Sequence, residues 1–303
     1  MDQIRGLICI LGPTASGKTS LAVALAKKIN GAIISADSRQ VFRGMDIGTG
    51  KDLAEYEGVD YYLIDIRDAG ADYHVAHFQD DFQEALLKIQ AQGKIPILCG
   101  GTGLYIQSVL QHYMFTAIPR NDSLRFHLLE KDMEELEKLF LSMPQPTTFK
   151  ADISTKKRLI RAIEIASWLK DNPQAVVKQP QKPAALVFGI QLSLDDRRAR
   201  ITQRLEKRLA AGLIDEVKRL MDAGVSADKL KFYGLEYKYV TAFLLGEMDR
   251  QQLFTKLNTE IHRFAKRQMT YFRKMEKDGI HIHWLDGTDF VAENVEKIIG
   301  YLL

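Results

Sequence analysis

Short apolar runs and amphipathic stretches alternate along the first 110 residues. Leu7-Ile8-Cys9-Ile10-Leu11 is apolar throughout and leads into a Gly/Thr-rich turn. Over residues 20–30 the period changes, because Leu21, Ala24, Leu25 and Ala26 fall on one side of a helix that Gly31 is expected to close. Residues 32–36 form a second buried strand and 61–67 a third. A helix over 75–92 stops at Gly93, and a fourth strand follows over 94–99. Strands apolar on both faces, separated by helices, predict a parallel sheet covered on both sides.

The pattern then shifts. Between about 119 and 183 no strand-like run stands out, and charged helical segments are expected over 121–141 and 154–170. Pro173, Pro180 and Pro183 read as a linker, after which 184–192 is again strand-like. The economical reading is an α/β fold, a P-loop NTPase-like parallel sheet core interrupted by an all-helical insertion. Its parts are a first core segment at 1–115, the insertion at 116–183, and a second core segment with basic helices at 184–303. A helix over 197–212 carries Arg200, Arg204 and Arg208 on one face, and Leu205, Leu209 and Leu213 on another. Asp196 or Glu206 is the ordinary partner expected for such arginines. A longer helix spans 255–275, and a last strand at 281–286 is expected to leave His281 and His283 exposed.

Composition narrows the class. The 303 residues are 46% apolar and 27% charged with a net charge of +3, so any nucleic-acid face has to be local. Two cysteines sit in apolar strands and no Cys/His set has zinc spacing, which predicts reduced, buried thiols. No leader is expected at the N-terminus, and no apolar run approaches the ~20 residues of a membrane span. These features fit a cytoplasmic enzyme.

The turn after the first strand, Gly12-Pro13-Thr14-Ala15-Ser16-Gly17-Lys18-Thr19, has the G-x-x-x-x-G-K-T spacing between a strand and a helix. In that setting backbone N–H groups and a helix N-terminus cradle phosphate. Lys18 adds a point charge, and the Thr19 hydroxyl can reach Mg²⁺. The pattern alone points most often to ATP and a kinase. Asp37 follows the second strand, so it belongs beside this loop as a base or magnesium partner, although Asp-Ser is also a common turn cap. Gly100-Gly101-Thr102-Gly103 aims Thr102 at the same crevice, or is simply a tight strand-to-helix turn. Lys150, Lys156, Lys157, Arg158 and Arg161 form a basic cluster that is either a solvated face or a phosphate surface. Basic residues mixed with Tyr271 and Phe272 near the C-terminus suit RNA.

Several motifs in order carry a family resemblance: GPTASGKT at 12–19, ADSRQVFRGMDIGTGK at 36–51, LIDIRD at 63–68 and GGTGLY at 100–105. RLIRAIE at 158–164, RITQR with GLIDEV across 200–217, and AKRQMTYFR at 265–273 complete the set. Together they resemble the bacterial tRNA dimethylallyltransferase (isopentenyl-tRNA transferase) family over nearly the whole chain. The resemblance implies transfer of a dimethylallyl group from its diphosphate to N6 of the adenosine 3′ of the anticodon, in tRNAs reading codons that begin with U. It implies that residues 12–19 bind diphosphate, that Mg²⁺ sits at Thr19, and that Lys18 and Arg204 stabilise the leaving group. Asp37 would be the base, and Thr102 would hold the adenine. The implied tRNA contacts are Asp37, Ser38, Arg39, Gln40, Thr102, Arg125, Lys157, Arg158, Leu159, Ile160, Arg161, Lys266, Arg267, Gln268 and Arg273, with 231–236 as a further segment. A monomer is expected.

Phe42, Gly50, Asp52 and Tyr271 depart from the residues usual in the family. At 231–238 a basic pattern gives way to Lys231-Phe232-Tyr233-Gly234-Leu235-Glu236-Tyr237-Lys238, and Glu236 weakens the implied RNA contact there. An adenylate isopentenyltransferase and a small-metabolite kinase are the competing readings.

Overall fold

The computed structural model describes residues 6–111, 113–144, 149, 151–173 and 183–302. The basic residue Lys150 and the linker proline Pro180 lie outside them. The chain divides into two compact units, one made of Met1–Gln111 with Lys182–Leu303 and the other of His112–Gln181.

The first unit begins with β1 (Leu7–Leu11), α1 (Lys18–Ile29), β2 (Gly31–Ser35), β3 (Tyr61–Tyr62), α2 (Val75–Ala91), β4 (Ile95–Gly100) and α3 (Gly103–Leu110). The second unit contains α4 (Asp122–Leu129), α5 (Met133–Ser142) and α6 (Lys156–Asp171). The first unit resumes with β5 (Ala185–Gln191), α7 (Leu194–Ala210), α8 (Leu213–Asp222), α9 (Ala227–Phe232) and α10 (Leu235–Leu244). It ends with α11 (Arg250–Lys277), β6 (His283–Asp286) and α12 (Val291–Gly300).

All strand pairs are parallel, in the order β3-β2-β4-β1-β5-β6. Ile97 on β4 stands level with Ile8 on β1 and Ile33 on β2. Side chains of β1 alternate strictly between faces. Leu7, Cys9 and Leu11 join a core under α2, α3 and α11, whereas Ile8 and Ile10 join one under α1 and α12. This two-sided burial explains the unbroken apolar runs. No helix among the described residues is long and apolar enough to cross a membrane.

Local departures have local causes. Asn30, not Gly31, ends α1, with φ 52° and its N–H bonded to Ala26; Gly31 already belongs to β2. The third strand is only two residues long, because Leu63 (φ 64°) and Asp65 (φ 56°) turn into the left-handed region. The helix expected over 121–141 is two helices, since Asp132 forms a capping box with Glu135 and starts α5 anew. His283 is not an exposed strand position. Its ring packs 4.3 Å from Tyr301 and 5.5 Å from Phe188, while His281 precedes the strand.

In the second unit Leu136, Phe140, Leu159, Ile160 and Ile163 form the apolar core. Glu164 lies fully buried in this core and is held by Arg125 at 3.0 and 2.6 Å.

Candidate active site

The site lies beyond the carboxyl ends of β1, β2 and β4. The β1–α1 turn places Ala15 (φ 61°) and Gly17 (φ 86°) in the left-handed region, so the loop curls back on itself before α1. No acidic residue stands in the first turn of α1 and no side chain caps it, which leaves its N-terminus suited to an anion. The Ser16 hydroxyl is buried and finds no partner among the described residues, an acceptor-seeking donor at an anion-shaped cradle. The Lys18 ammonium lies 3.3 Å from the Pro13 carbonyl.

A cleft of about 760 Å³ opens in front of this loop, within the size range of small-ligand sites. Residues 14–20, Asp37, Ser38, Arg39, Gln40 and Thr102 line it, with Arg200, Arg204 and Arg208 on another side. The four-residue spacing on α7 therefore puts three guanidinium groups at one cleft. Their partners are not Asp196 or Glu206. Arg204 reaches Asp52 at 3.1 Å and the Thr14 hydroxyl at 3.5 Å, and Arg208 reaches Glu236 at 2.9 Å and the Gly48 carbonyl at 3.2 Å. Arg200 donates to the Gly287 carbonyl at 2.9 Å.

Cation crowding shapes the electrostatics. Burial lowers the pKa of Lys18, and the charges of Arg204 and Arg208 lower it further against an opposing pull from Asp37 and Cys99. Burial likewise lowers the pKa of Arg204, with Arg208 adding to the effect. Packed like charges of this kind are relieved by a bound polyanion.

Asp37 and Thr102 stand together at the opposite lip. The Asp37 Oδ1 accepts the Arg39 N–H at 2.8 Å, so the Asx turn is present. The Thr102 Oγ1 accepts the Ser38 N–H at 3.1 Å, and the Thr102 N–H donates to Ala36 at 3.2 Å. These bonds tie the β2 and β4 turns to each other.

Gln268 on α11 completes the frame. It is buried, accepts the Thr14 N–H at 2.9 Å and donates to the Gly101 carbonyl at 2.9 Å. Its side chain fastens the phosphate loop to the second glycine-rich turn while still lining the cleft. Gln40 is engaged in the same way, by Ser35 at 2.8 Å and the Gly50 carbonyl at 3.1 Å.

The expected RNA-facing set divides. Lys157, Arg158, Lys266, Arg267 and Arg273 are exposed, Arg158 in a 3.0 Å ion pair with Asp152. Leu159 and Ile160 are in the helical core, which leaves their side chains no access to RNA. Arg125 is committed to Glu164, and Arg161 donates to the Ile118 carbonyl at 2.6 Å. These four hold the helical unit together. Glu236, expected to oppose RNA, is instead the mostly buried partner of Arg208.

Three further residues shape the site, and no motif or spacing marks them in the sequence. Lys51 has a fully buried side chain, bonded to the Phe42 carbonyl at 2.7 Å, to Asp46 at 2.6 Å and to Asp65. Asp52 holds Arg204. Glu216 accepts four hydrogen bonds around residues 46–48.

No group of three or more Asp, Glu, His or Cys side chains among the described residues could enclose a metal ion. A cation here would take most of its ligands from phosphate and water, with Thr19 and Asp37 within the same cleft. That is the binding habit of Mg²⁺.

The IPP transferase family profile matches residues 40–275. The chain is 50% identical over 297 residues to tRNA dimethylallyltransferase 1 of Porphyromonas gingivalis, covering 97% of this chain and 98% of that one. It is equally 50% identical to tRNA dimethylallyltransferase 2 of Trichlorobacter lovleyi, covering 97% of each. Among solved structures, the tRNA isopentenylpyrophosphate transferase of Bacillus halodurans superposes with a TM-score of 0.72 at 33% identity, covering 98% and 97% of the two chains. A eukaryotic dimethylallyltransferase acting on tRNA shares the fold at TM-score 0.74 and 23% identity, over 93% of this chain and 74% of that one.

Proposed function

The chain belongs to the IPP transferase family and is an enzyme that prenylates tRNA; we propose that its donor is dimethylallyl diphosphate and its acceptor N6 of the adenosine immediately 3′ of the anticodon. The tRNAs are those reading codons that begin with U. The observation that carries this reading is the convergence of the phosphate loop, Asp37, Thr102 and the α7 arginines on one cleft.

The exocyclic amine is a poor nucleophile, because its lone pair is delocalised into the ring. Reaction therefore depends on alignment with the allylic carbon and on stabilising the departing diphosphate. The N6 lone pair forms the new C–N bond while the allylic C–O bond breaks, and that electron pair leaves with the diphosphate. Asp37 accepts the N6 proton. Lys18, the loop amides of residues 15–19 and Arg204 hold the growing negative charge. Thr102, fixed through Ser38, orients the adenine. Mg²⁺, held by Thr19 and the diphosphate, would supply further charge neutralisation.

The base must leave its stack to reach such a cleft. Ser38 and Arg39 at its lip, Lys266, Arg267 and Arg273 on α11, and Lys157 and Arg158 on α6 are the candidate contacts to the RNA. The helical unit's exposed cations would serve tRNA, since a mononucleotide needs no such surface. The two free buried cysteines suit the reducing cytoplasm, where tRNA is matured. Nucleoside analysis of tRNA from cells with and without the gene tests the reading. Loss of N6-dimethylallyladenosine is expected, and an unchanged nucleoside profile would overturn it.

A further inference from the structure

The segment carrying Gly48 and Gly50 touches the arginines, yet it is a loop with no sheet or helix of its own. Gln40 and Lys51 anchor its far end, and one buried carboxylate on α8 holds its start. Glu216, on the first turn of α8, is buried and accepts the N–H groups of Asp46 at 2.9 Å, Ile47 at 2.7 Å and Gly48 at 3.0 Å. The Tyr237 hydroxyl donates to the same carboxylate at 2.7 Å. Three successive amides on one carboxylate fix the loop's path with short, charge-assisted hydrogen bonds.

The loop in turn meets α7. The Gly48 carbonyl accepts from Arg208 at 3.2 Å and the Gly50 carbonyl from Arg204 at 3.5 Å. A Cβ on Gly50 would overlap both guanidinium groups, so the backbone passes between them. A Cβ on Gly48 would fall 2.6 Å from the Tyr237 ring, so the other side of the loop is closed as well. Asp52, two residues beyond Gly50, pairs with Arg204. The orientation of both arginines is thus read from a loop whose own register comes from Glu216.

We propose that Glu216 is a positioning residue for the donor diphosphate. By clamping the amides of residues 46–48 it sets the spacing of Arg204 and Arg208 at the cleft, without touching substrate itself. The inference rests on the reading of Arg204 as a diphosphate ligand, and it extends that role to a residue on a different helix. Tyr237 is the accessory: its hydroxyl occupies the carboxylate lone pair that the amides leave, and its ring backs Gly48.

The test is steady-state kinetics with dimethylallyl diphosphate and an unmodified tRNA transcript. In Glu216→Gln the side-chain amide must turn its NH₂ toward at least one backbone N–H or the Tyr237 hydroxyl, which breaks part of the clamp. The donor KM and the inhibition constant of inorganic diphosphate are expected to rise by about tenfold, the usual scale for a hydrogen bond to a charged group, while the tRNA KM holds. Tyr237→Phe should shift both donor constants the same way by a smaller factor. Ile298→Val, in the core under α12, lowers stability away from the cleft and should leave the donor KM unchanged. Arg204→Ala separates the two ideas. If it leaves the donor KM unaltered, the diphosphate reading itself fails. If Arg204→Ala raises the donor KM and Glu216→Gln does not, or Glu216→Gln raises both substrates' KM equally, Glu216 is only a fold residue and the inference is overturned.

Discussion

Asp37 carries a structural role and a proposed catalytic one. Its Oδ1 caps the turn through the Arg39 N–H, and that bond fixes the carboxylate at the lip of the cleft. The turn-cap reading and the catalytic reading were alternatives in the sequence, whereas the structure lets one serve the other. Asp37→Asn keeps a cap acceptor but removes the base. Turnover should fall by about 10²–10⁴-fold while donor binding by equilibrium dialysis persists. Near-normal turnover would remove Asp37 from the proton transfer. Cys99 gives a pH test. Burial pushes its thiol from 9.0 up to about 12, so the folded state holds the proton more tightly than the unfolded one. The resulting stability is complete below pH 9 and drains as pH rises towards 12. Urea midpoints should therefore decline through that window, and Cys99→Ala should flatten part of the decline. At this scale the P-loop and Asp37 were legible because their signals are local. Glu216 and Asp52 were not, since their partners lie up to 170 positions away along the chain, and Lys51 was not because a lysine in a Gly-rich loop is ordinarily solvated.

Two elements show what periodicity reveals and hides. The 28-residue α11 spans roughly 42 Å at 1.5 Å per residue, and its apolar face serves two cores. Leu253, Leu257 and Ile261 pack with α7, α8 and α10, and Met269, Phe272 and Met275 pack against the sheet. The helix was evident in its pattern, but the Gln268 bridge depends on which residues the helix happens to face. Helix α6 hid a similar division. A basic run read as one surface is half structural, because Arg161 and the core residues Leu159 and Ile160 face inward while Lys157 and Arg158 face out. Arg125→Met should destabilise the helical unit by about 3 kcal/mol, because only Arg161 at 3.5 Å is then left to balance the buried Glu164 charge. Amide exchange in α4 and α6 should accelerate, and the double variant Arg125→Met/Glu164→Leu should recover most of the protection. By contrast, replacing Lys157 and Arg158 with Ala should leave stability within ~0.5 kcal/mol and reduce the salt dependence of tRNA binding by one to two phosphate equivalents. An unchanged salt slope would make the pair a solvated face only.

For the whole molecule, the order of strands and helices was readable because the central strands β1, β2 and β4 are buried on both faces and α1, α2 and α3 separate most of them. Strand adjacency was not, since β1 pairs with β4 and β5 rather than with its sequence neighbour β2. That arrangement brings the turns after β1, β2 and β4 to one edge, and so assembles a phosphate loop, a carboxylate and a threonine from three separated motifs. A P-loop by itself favours ATP. The crowded cations and the companion carboxylate favour a diphosphate that leaves rather than a phosphoryl group that transfers. The decisive measurement offers the purified protein radiolabelled dimethylallyl diphosphate with Mg²⁺ and, in parallel, an unmodified tRNA transcript or AMP, alongside an ATPase assay. Label should enter the tRNA alone, at N6 of the adenosine 3′ of the anticodon, with no ATP turnover. Label in AMP but not in tRNA, or ATP turnover without prenyl transfer, would contradict the account.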